Sequence, residues 1–235
     1  MLETQRENPP LFQLKTLVTV LCLCLTAGRA IAAEAVDVAL VLAVDCSLSV
    51  TEDEFHLQIQ GIADALRSKD VMTLIKSGYK GSIAVVLLEW SSQDTQDVAI
   101  PWTKLASSED IQGYAERLVH TPRLQTGYTS ISGAIEAGLG LFTRAPFPAV
   151  RHVIDISTDG DNNDGVAPEV MRDRAALAGV TINGLTITHE LAYLELYFQH
   201  HVITGPGGFV VKADDYAAYH DAMKRKLLRE IQPVS

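Results

Sequence analysis

Residues 36–49 read VDVALVLAVDCSLS. From Val36 to Val44 the stretch is apolar except at Asp37, and it closes on Asp45. A run this apolar, with no polar alternation, is the pattern of a strand buried on both faces of a parallel sheet. Directly after it, Thr51-Glu52-Asp53-Glu54 forms a capping box, with a Thr followed three residues on by a Glu. The helix it opens carries Phe55, Ile59, Ile62, Ala63 and Leu66 at helical spacing.

The same alternation continues along the chain. Residues 82–90, SIAVVLLEW, form a second buried strand. Residues 97–102, DVAIPW, predict a short edge strand, since Pro101 cannot donate to a ladder. Helices are predicted over 108–119, with Glu109 and Asp110 in the first turn, and over 129–142. Residues 151–157 are a third core strand, 168–178 a helix stopped by Gly179, and 180–188 a strand with a bulge expected at Gly184. A short helix over 191–200, a strand over 208–211 and a helix capped by Asp214 and running through Ile231 complete the order. The basic residues Lys224, Arg225, Lys226 and Arg229 suit the C-terminus of that last helix. Strands spaced by helices predict an α/β fold: one doubly wound, mostly parallel central sheet, helices on both faces and one short antiparallel edge strand. Ligands of such sheets bind at the carboxyl ends of the strands, where the strand order switches.

Residues 1–33 read differently. Lys15 precedes a mostly apolar run over 16–28, followed by Arg29 and the small-residue stretch Ala30-Ile31-Ala32-Ala33. That is the pattern of an export signal, too short and too early interrupted for a span of about 20 apolar residues. The expected organisation is a signal peptide over 1–33 and one domain over 34–235, exported to the periplasm or secreted. An uncleaved signal segment is the alternative, and would be the chain's link to a membrane. Of three cysteines, Cys22 and Cys24 fall in the leader, which leaves Cys46 alone and without an intramolecular disulfide.

Of 235 residues 47% are hydrophobic and 20% charged, which excludes an intrinsically disordered chain. The formal net charge of −10 argues against nucleic-acid partners, whose phosphates demand clustered Lys and Arg.

Three polar clusters fall at predicted strand ends or in a loop between strands. The first strand ends in Asp45-Cys46-Ser47-Leu48-Ser49, pattern D-x-S-x-S. Gly127-Tyr128-Thr129-Ser130 runs into a helix, and Ser157-Thr158-Asp159-Gly160 follows the third core strand. One carboxylate and two hydroxyls at i, i+2 and i+4 half-fill the oxygen shell of a hard cation such as Mg²⁺. The residues also admit blander roles. Asp45, Ser47 and Ser49 can cap a turn. Asp45 can be the nucleophile of a phosphoryl-transfer site, although no Lys follows a later strand where such a site needs one. Cys46 reads as a buried inert thiol, and His200-His201 lacks further ligands at zinc spacing. The run from Asp159 to Asp164 is rich in calcium-type oxygens but lacks the Glu of an EF-hand loop, so a solvated loop and a second-cation role stay open.

D-x-S-x-S after the first strand, Gly-x-Thr before a helix and S/T-D-G after a central strand together resemble the von Willebrand factor type A domain, over roughly residues 36–232. The phrases TSISGAI, VTINGL and GGFVV further resemble a group of exported, uncharacterised bacterial proteins that consist of little more than this one domain. The resemblance implies a metal-ion-dependent adhesion site formed by Asp45, Ser47, Ser49, Thr129 and Asp159. It implies a divalent cation, Mg²⁺ first and Mn²⁺ or Ca²⁺ otherwise, and a protein partner that offers an Asp or Glu carboxylate. Tyr128 and Cys46 depart from the family pattern, and neither removes an oxygen ligand. The expected function is therefore an exported, non-enzymatic, metal-dependent protein-binding module. An exported structural or assembly factor with a stabilising metal site is the alternative, followed by a metal-assisted hydrolase.

Overall fold

The apolar run at the first motif becomes strand β1, Val36–Asp45, third in a six-stranded sheet. The computed structural model describes Met1 and residues 34–232, so the leader expected over 1–33 lies outside the described residues. The other strands are β2 (Ile83–Trp90), β3 (Gln96–Leu105), β4 (Ala149–Thr158), β5 (Val180–Ile187) and β6 (Val210–Ala213). Their order is β3-β2-β1-β4-β5-β6. β1 pairs in parallel with β2 and β4, and β4-β5 and β5-β6 are parallel too. β3 alone runs antiparallel, against β2. It is ten residues long, longer than the short edge strand expected, and carries Pro101 where one side of the strand has no partner.

Seven helices are described: α1 (Glu52–Arg67), α2 (Lys69–Ser77), α3 (Ser108–Val119), α4 (Ile131–Phe142), α5 (Pro168–Leu177), α6 (Leu194–His201) and α7 (Tyr219–Ile231). Successive residues of a strand face opposite sides, and β1 divides its apolar run on that basis. Leu40, Leu42 and Val44 pack with α1, α2, α3 and α7, whereas Val41 and Ala43 pack with α4, α5 and α6. Both faces are thereby dry, which is why β1 needs no polar alternation. Among the described residues no helix is long and apolar enough to cross a membrane.

Several local expectations shift. α2 was not anticipated. It follows α1 after Ser68 alone, whose hydroxyl caps it by accepting from Val71 N. α4 starts at Ile131 with Ser130 as its cap, not at Thr129, and this leaves Thr129 in the loop. β6 spans Val210–Ala213 and α6 Leu194–His201, each displaced toward the C-terminus from the expected range. α7 begins at Tyr219, so Asp214 does not cap it; Asp214 pairs with Lys212 at 2.7 Å, and Asp215 accepts from Ala218 N instead. Gly184 makes no bulge, since its register with β4 and β6 is regular. Its missing side chain serves packing: a Cβ there would lie 2.5 Å from Phe198 Cδ1. The register shifts fall between β2 and β3 instead.

Lys226 is not part of a solvated basic tail. It is fully buried, with Nζ 2.5 Å from Asp155 Oδ1 on β4 and 2.6 Å from Glu230 Oε1 one turn on. Asn183 Nδ2 on β5 donates to the same Glu230 oxygen at 2.9 Å. Burial, and then the charge of Asp155, raise the Glu230 carboxyl to about 8.

Candidate metal centre

The strand order reverses between β1 and β4, and their carboxyl ends form the crevice in which such sheets bind ligands. Asp45 is the last residue of β1 and Asp159 follows the last residue of β4. The register pairs Val44 with Ser157, which brings Asp45 beside Thr158.

Asp45 is fully buried and fixed at both carboxylate oxygens. Oδ1 accepts the Ser47 amide at 2.6 Å, and Oδ2 accepts the Thr158 hydroxyl at 2.5 Å. The first contact is an Asx-type turn that folds the chain back over the strand end. It aims the Ser47 and Ser49 hydroxyls at each other, 3.1 Å apart. Ser49 in turn donates to Asp159 Oδ1 at 2.8 Å, and Tyr216 donates its phenol to Asp159 Oδ2 at 2.9 Å. The loop backbone is held from below. Arg123 Nη2 donates to the carbonyls of Cys46 and Ser47, both at 2.8 Å, and Leu48 N donates to Gly127 O at 2.8 Å.

Thr129 arrives from the loop before α4 and is nearly buried. It lies against Gly160, where a Cβ would stand 3.3 Å from its Oγ1, so the glycine after Asp159 admits the threonine. Asp45, Ser47, Ser49 and Asp159 thus form one chain of contacts, and Thr129 adjoins it through Gly160. Thr158, Tyr216, Gly160 and Arg123 are the supports that sequence reasoning did not single out. Thr158 and Gly160 lay inside a quoted motif, whereas Tyr216 and Arg123 carried no local signal.

The electrostatics are those of an acid pair drawn out of water. Burial, and then the neighbouring charge of Asp159, raise Asp45 to about 7. Burial likewise raises Asp159, against the hydrogen bonds from Ser49 and Tyr216. Among the described residues no cationic side chain stands against either carboxylate. Nor do three or more His, Cys, Asp and Glu side chains come together among them in a group that could hold a metal ion. Two carboxylates and three hydroxyls are a hard, all-oxygen donor set, which suits Mg²⁺, Mn²⁺ or Ca²⁺ and not a thiolate- or imidazole-bound metal.

Cys46, in the middle of the first motif, is buried with Sγ 3.6 Å from Glu89 Oε2, and burial raises its pKa. Trp90 is core and Trp102 packs at the β3 edge. His201 pairs with Glu169 at 2.5 Å, which accounts for one of the two adjacent histidines. Tyr128 is exposed beside the centre.

No curated protein matches the chain in sequence. Solved structures do. Proximal thread matrix protein 1 from the mussel byssus is similar over 85% of this chain and 49% of its own, with 18% identity and a TM-score of 0.62. The pilus adhesin SpaC from Lactobacillus rhamnosus GG is similar over 83% and 30%, at 16% identity and TM-score 0.58. A von Willebrand factor type A protein from Catenulispora acidiphila is similar over 83% and 42%, at 14% and 0.53. A further structure of the mussel protein, similar over 84% and 47% at 19% and 0.53, is described as having a zinc-occupied MIDAS motif. The chain spans half or less of each of these proteins, and at such identities the likeness is one of fold. That fold is the von Willebrand factor type A fold. The family model that matches residues 35–235 is described as "Protein of unknown function (DUF1194)", and the chain belongs to that family.

Proposed function

We propose that the protein is an exported protein-binding module whose Asp45, Ser47, Ser49, Thr129 and Asp159 hold one divalent cation, Mg²⁺ by preference, for capture of an Asp or Glu of a partner. The observation that carries this is the buried pair Asp45 and Asp159, which share a crevice with three hydroxyls and lack a cationic neighbour among the described residues. A divalent ion held by mostly neutral hydroxyls keeps residual positive charge and an open position for a carboxylate oxygen. The chain's own groups are arranged for holding. Thr158 and Tyr216 donate to the two aspartates and fix their orientation. The zinc-occupied motif of the mussel protein and the adhesin role in the name of SpaC lend the reading support by fold.

Thermal melting after EDTA treatment, then with Mg²⁺, Mn²⁺ or Ca²⁺, tests it beside Asp45→Ala. A ligand at 100 times its Kd adds about 2.7 kcal/mol, or about 5–10 °C for a chain of this size. A rise that Asp45→Ala abolishes, in a variant that still folds, supports a capture site. Collapse of the wild-type fold in EDTA points to a structural metal instead, and turnover that dies with Asp45 to a hydrolase. No shift with any ion removes the chemical basis of capture.

A further inference from the structure

The run Asp159 to Asp164 carries a side-chain oxygen at every position but Gly160, and the function proposed above uses only its first residue. Its side chains do not converge on a common point, because each is already committed to a donor of the protein. Asp161 Oδ2 accepts from Tyr193 OH at 2.7 Å. Asn162 Oδ1 accepts from Ser132 N at 3.1 Å, while its Nδ2 donates to the carbonyls of Asp164 and Val166. Asn163 Oδ1 accepts from Thr129 N at 2.8 Å, and its own amide donates back to Thr129 O at 2.8 Å. Asp164 Oδ2 accepts from Gln93 N at 2.8 Å, on the loop after β2. Gln93 Oε1 in turn accepts from the hydroxyls of Ser130 and Ser132. A calcium loop needs six to eight oxygens free to turn toward one ion. Here the acceptors point outward to three separate segments.

We propose that Asn163, aided by Asn162 and Asp164, is a clamp that positions Thr129 against Gly160, the residue after Asp159, and that the acidic run is a positioning device and not a second cation site. Both backbone polar groups of Thr129 are taken by Asn163, so the threonine cannot rotate away from Gly160 without breaking two bonds. The Asn162 bond to Ser132 N fixes the first turn of α4, just past Thr129. Sequence separation hides the device, because the residues it joins stand 34 and 30 apart. The metal-affinity half of this inference rests on the function proposed above; the loop-positioning half does not.

Asn163 is solvent-exposed, so its side chain can be removed without opening the core. Asn163→Ala deletes the acceptor for Thr129 N, and Asn163→Asp restores it. Hydrogen exchange of the Thr129 amide, read by NMR on the metal-free protein, is expected to speed up by about tenfold in Asn163→Ala and to return toward the wild-type rate in Asn163→Asp. Titration with Mn²⁺ alone is expected to show an affinity about tenfold weaker for Asn163→Ala, with the apo melting temperature lower by no more than about 6 °C. Unchanged Thr129 exchange overturns the clamp whatever the metal does. Faster exchange with unchanged Mn²⁺ affinity overturns its role in setting affinity. Faster exchange in a protein whose wild type takes up no Mn²⁺ upholds the loop clamp and overturns the metal site. A second, tightly bound Ca²⁺ lost in Asn163→Ala or Asp161→Ala overturns the assignment of the run as a positioning device.

Discussion

Lys226→Met isolates what the buried charge cluster on α7 contributes. In the wild type one ammonium lies 2.5 Å from Asp155 and 2.6 Å from Glu230, and all three side chains are within 1% of complete burial. Methionine keeps the length and apolar stem of lysine while removing the charge. The two carboxyls are then left in a dry site, with Asn183 Nδ2 still donating to Glu230. Breaking a buried ion pair by removing one member costs about 3–5 kcal/mol, because the partner, here Asp155, is left uncompensated. Total stabilities of folded domains are about 5–15 kcal/mol, so the loss is a large fraction of the whole. Urea unfolding at pH 7, with linear extrapolation to water, measures it, and a melting temperature lower by about 6–20 °C should accompany it. The combined variant Lys226→Met, Asp155→Val, Glu230→Met removes the charges together and should recover most of the loss, since apolar replacement of a buried ionic group is often neutral or stabilising. A single variant within about 1 kcal/mol of wild type refutes the reasoning, as does a triple variant no better than the single one.

Three further outcomes follow from particular contacts. Glu230 has a folded pKa of about 8 against an ordinary 4.5, so between those values the folded chain holds a proton the unfolded chain has released. Stability should therefore fall as pH rises from about 4.5 to 8, at up to about 1.4 kcal/mol per pH unit from this group, and a Glu230→Gln variant should lose that slope in urea titrations. Gly184→Ala places a methyl 2.5 Å from Phe198 Cδ1 and should cost about 1–3 kcal/mol, unless α6 moves aside without loss and the melt stays unchanged. Cys46, buried with its pKa raised, should resist alkylation in the native protein and react only on the unfolding timescale; fast labelling would contradict its packing.

The parts of this fold that were legible in sequence are those set by local chemistry. The run to Asp45 is apolar on both faces because helices cover both, and that pattern needs no partner to be recognised. The Thr51–Glu54 box closes both of its bonds as read, since cap and partner are three residues apart. α2 is only nine residues long and follows α1 after Ser68 alone, so no turn or breaker in the sequence marks it off from its neighbour. Lys226 looked like part of a basic tail because its partner on the sheet, Asp155, lies 71 positions away in the chain. The five oxygen residues of the candidate centre were visible as three short motifs, and the structure brings their segments to one crevice. What holds them there, Arg123, Tyr216 and Asn163, acts across 34 to 77 residues of chain and leaves no mark in any one stretch.

Direct counting of bound Mn²⁺ by electron paramagnetic resonance tests the central claim, with wild type compared to Asp45→Asn and Asp159→Asn. Each amide keeps one acceptor oxygen, for Ser47 N in Asp45→Asn and for Ser49 or Tyr216 in Asp159→Asn, and its NH2 faces a hydroxyl that can turn to accept, while the charge is removed. The account predicts one Mn²⁺ per chain, displaced by excess Mg²⁺ and lost in both variants. Absence of bound Mn²⁺ in the wild type, or one Mn²⁺ per chain that survives both substitutions, would contradict it.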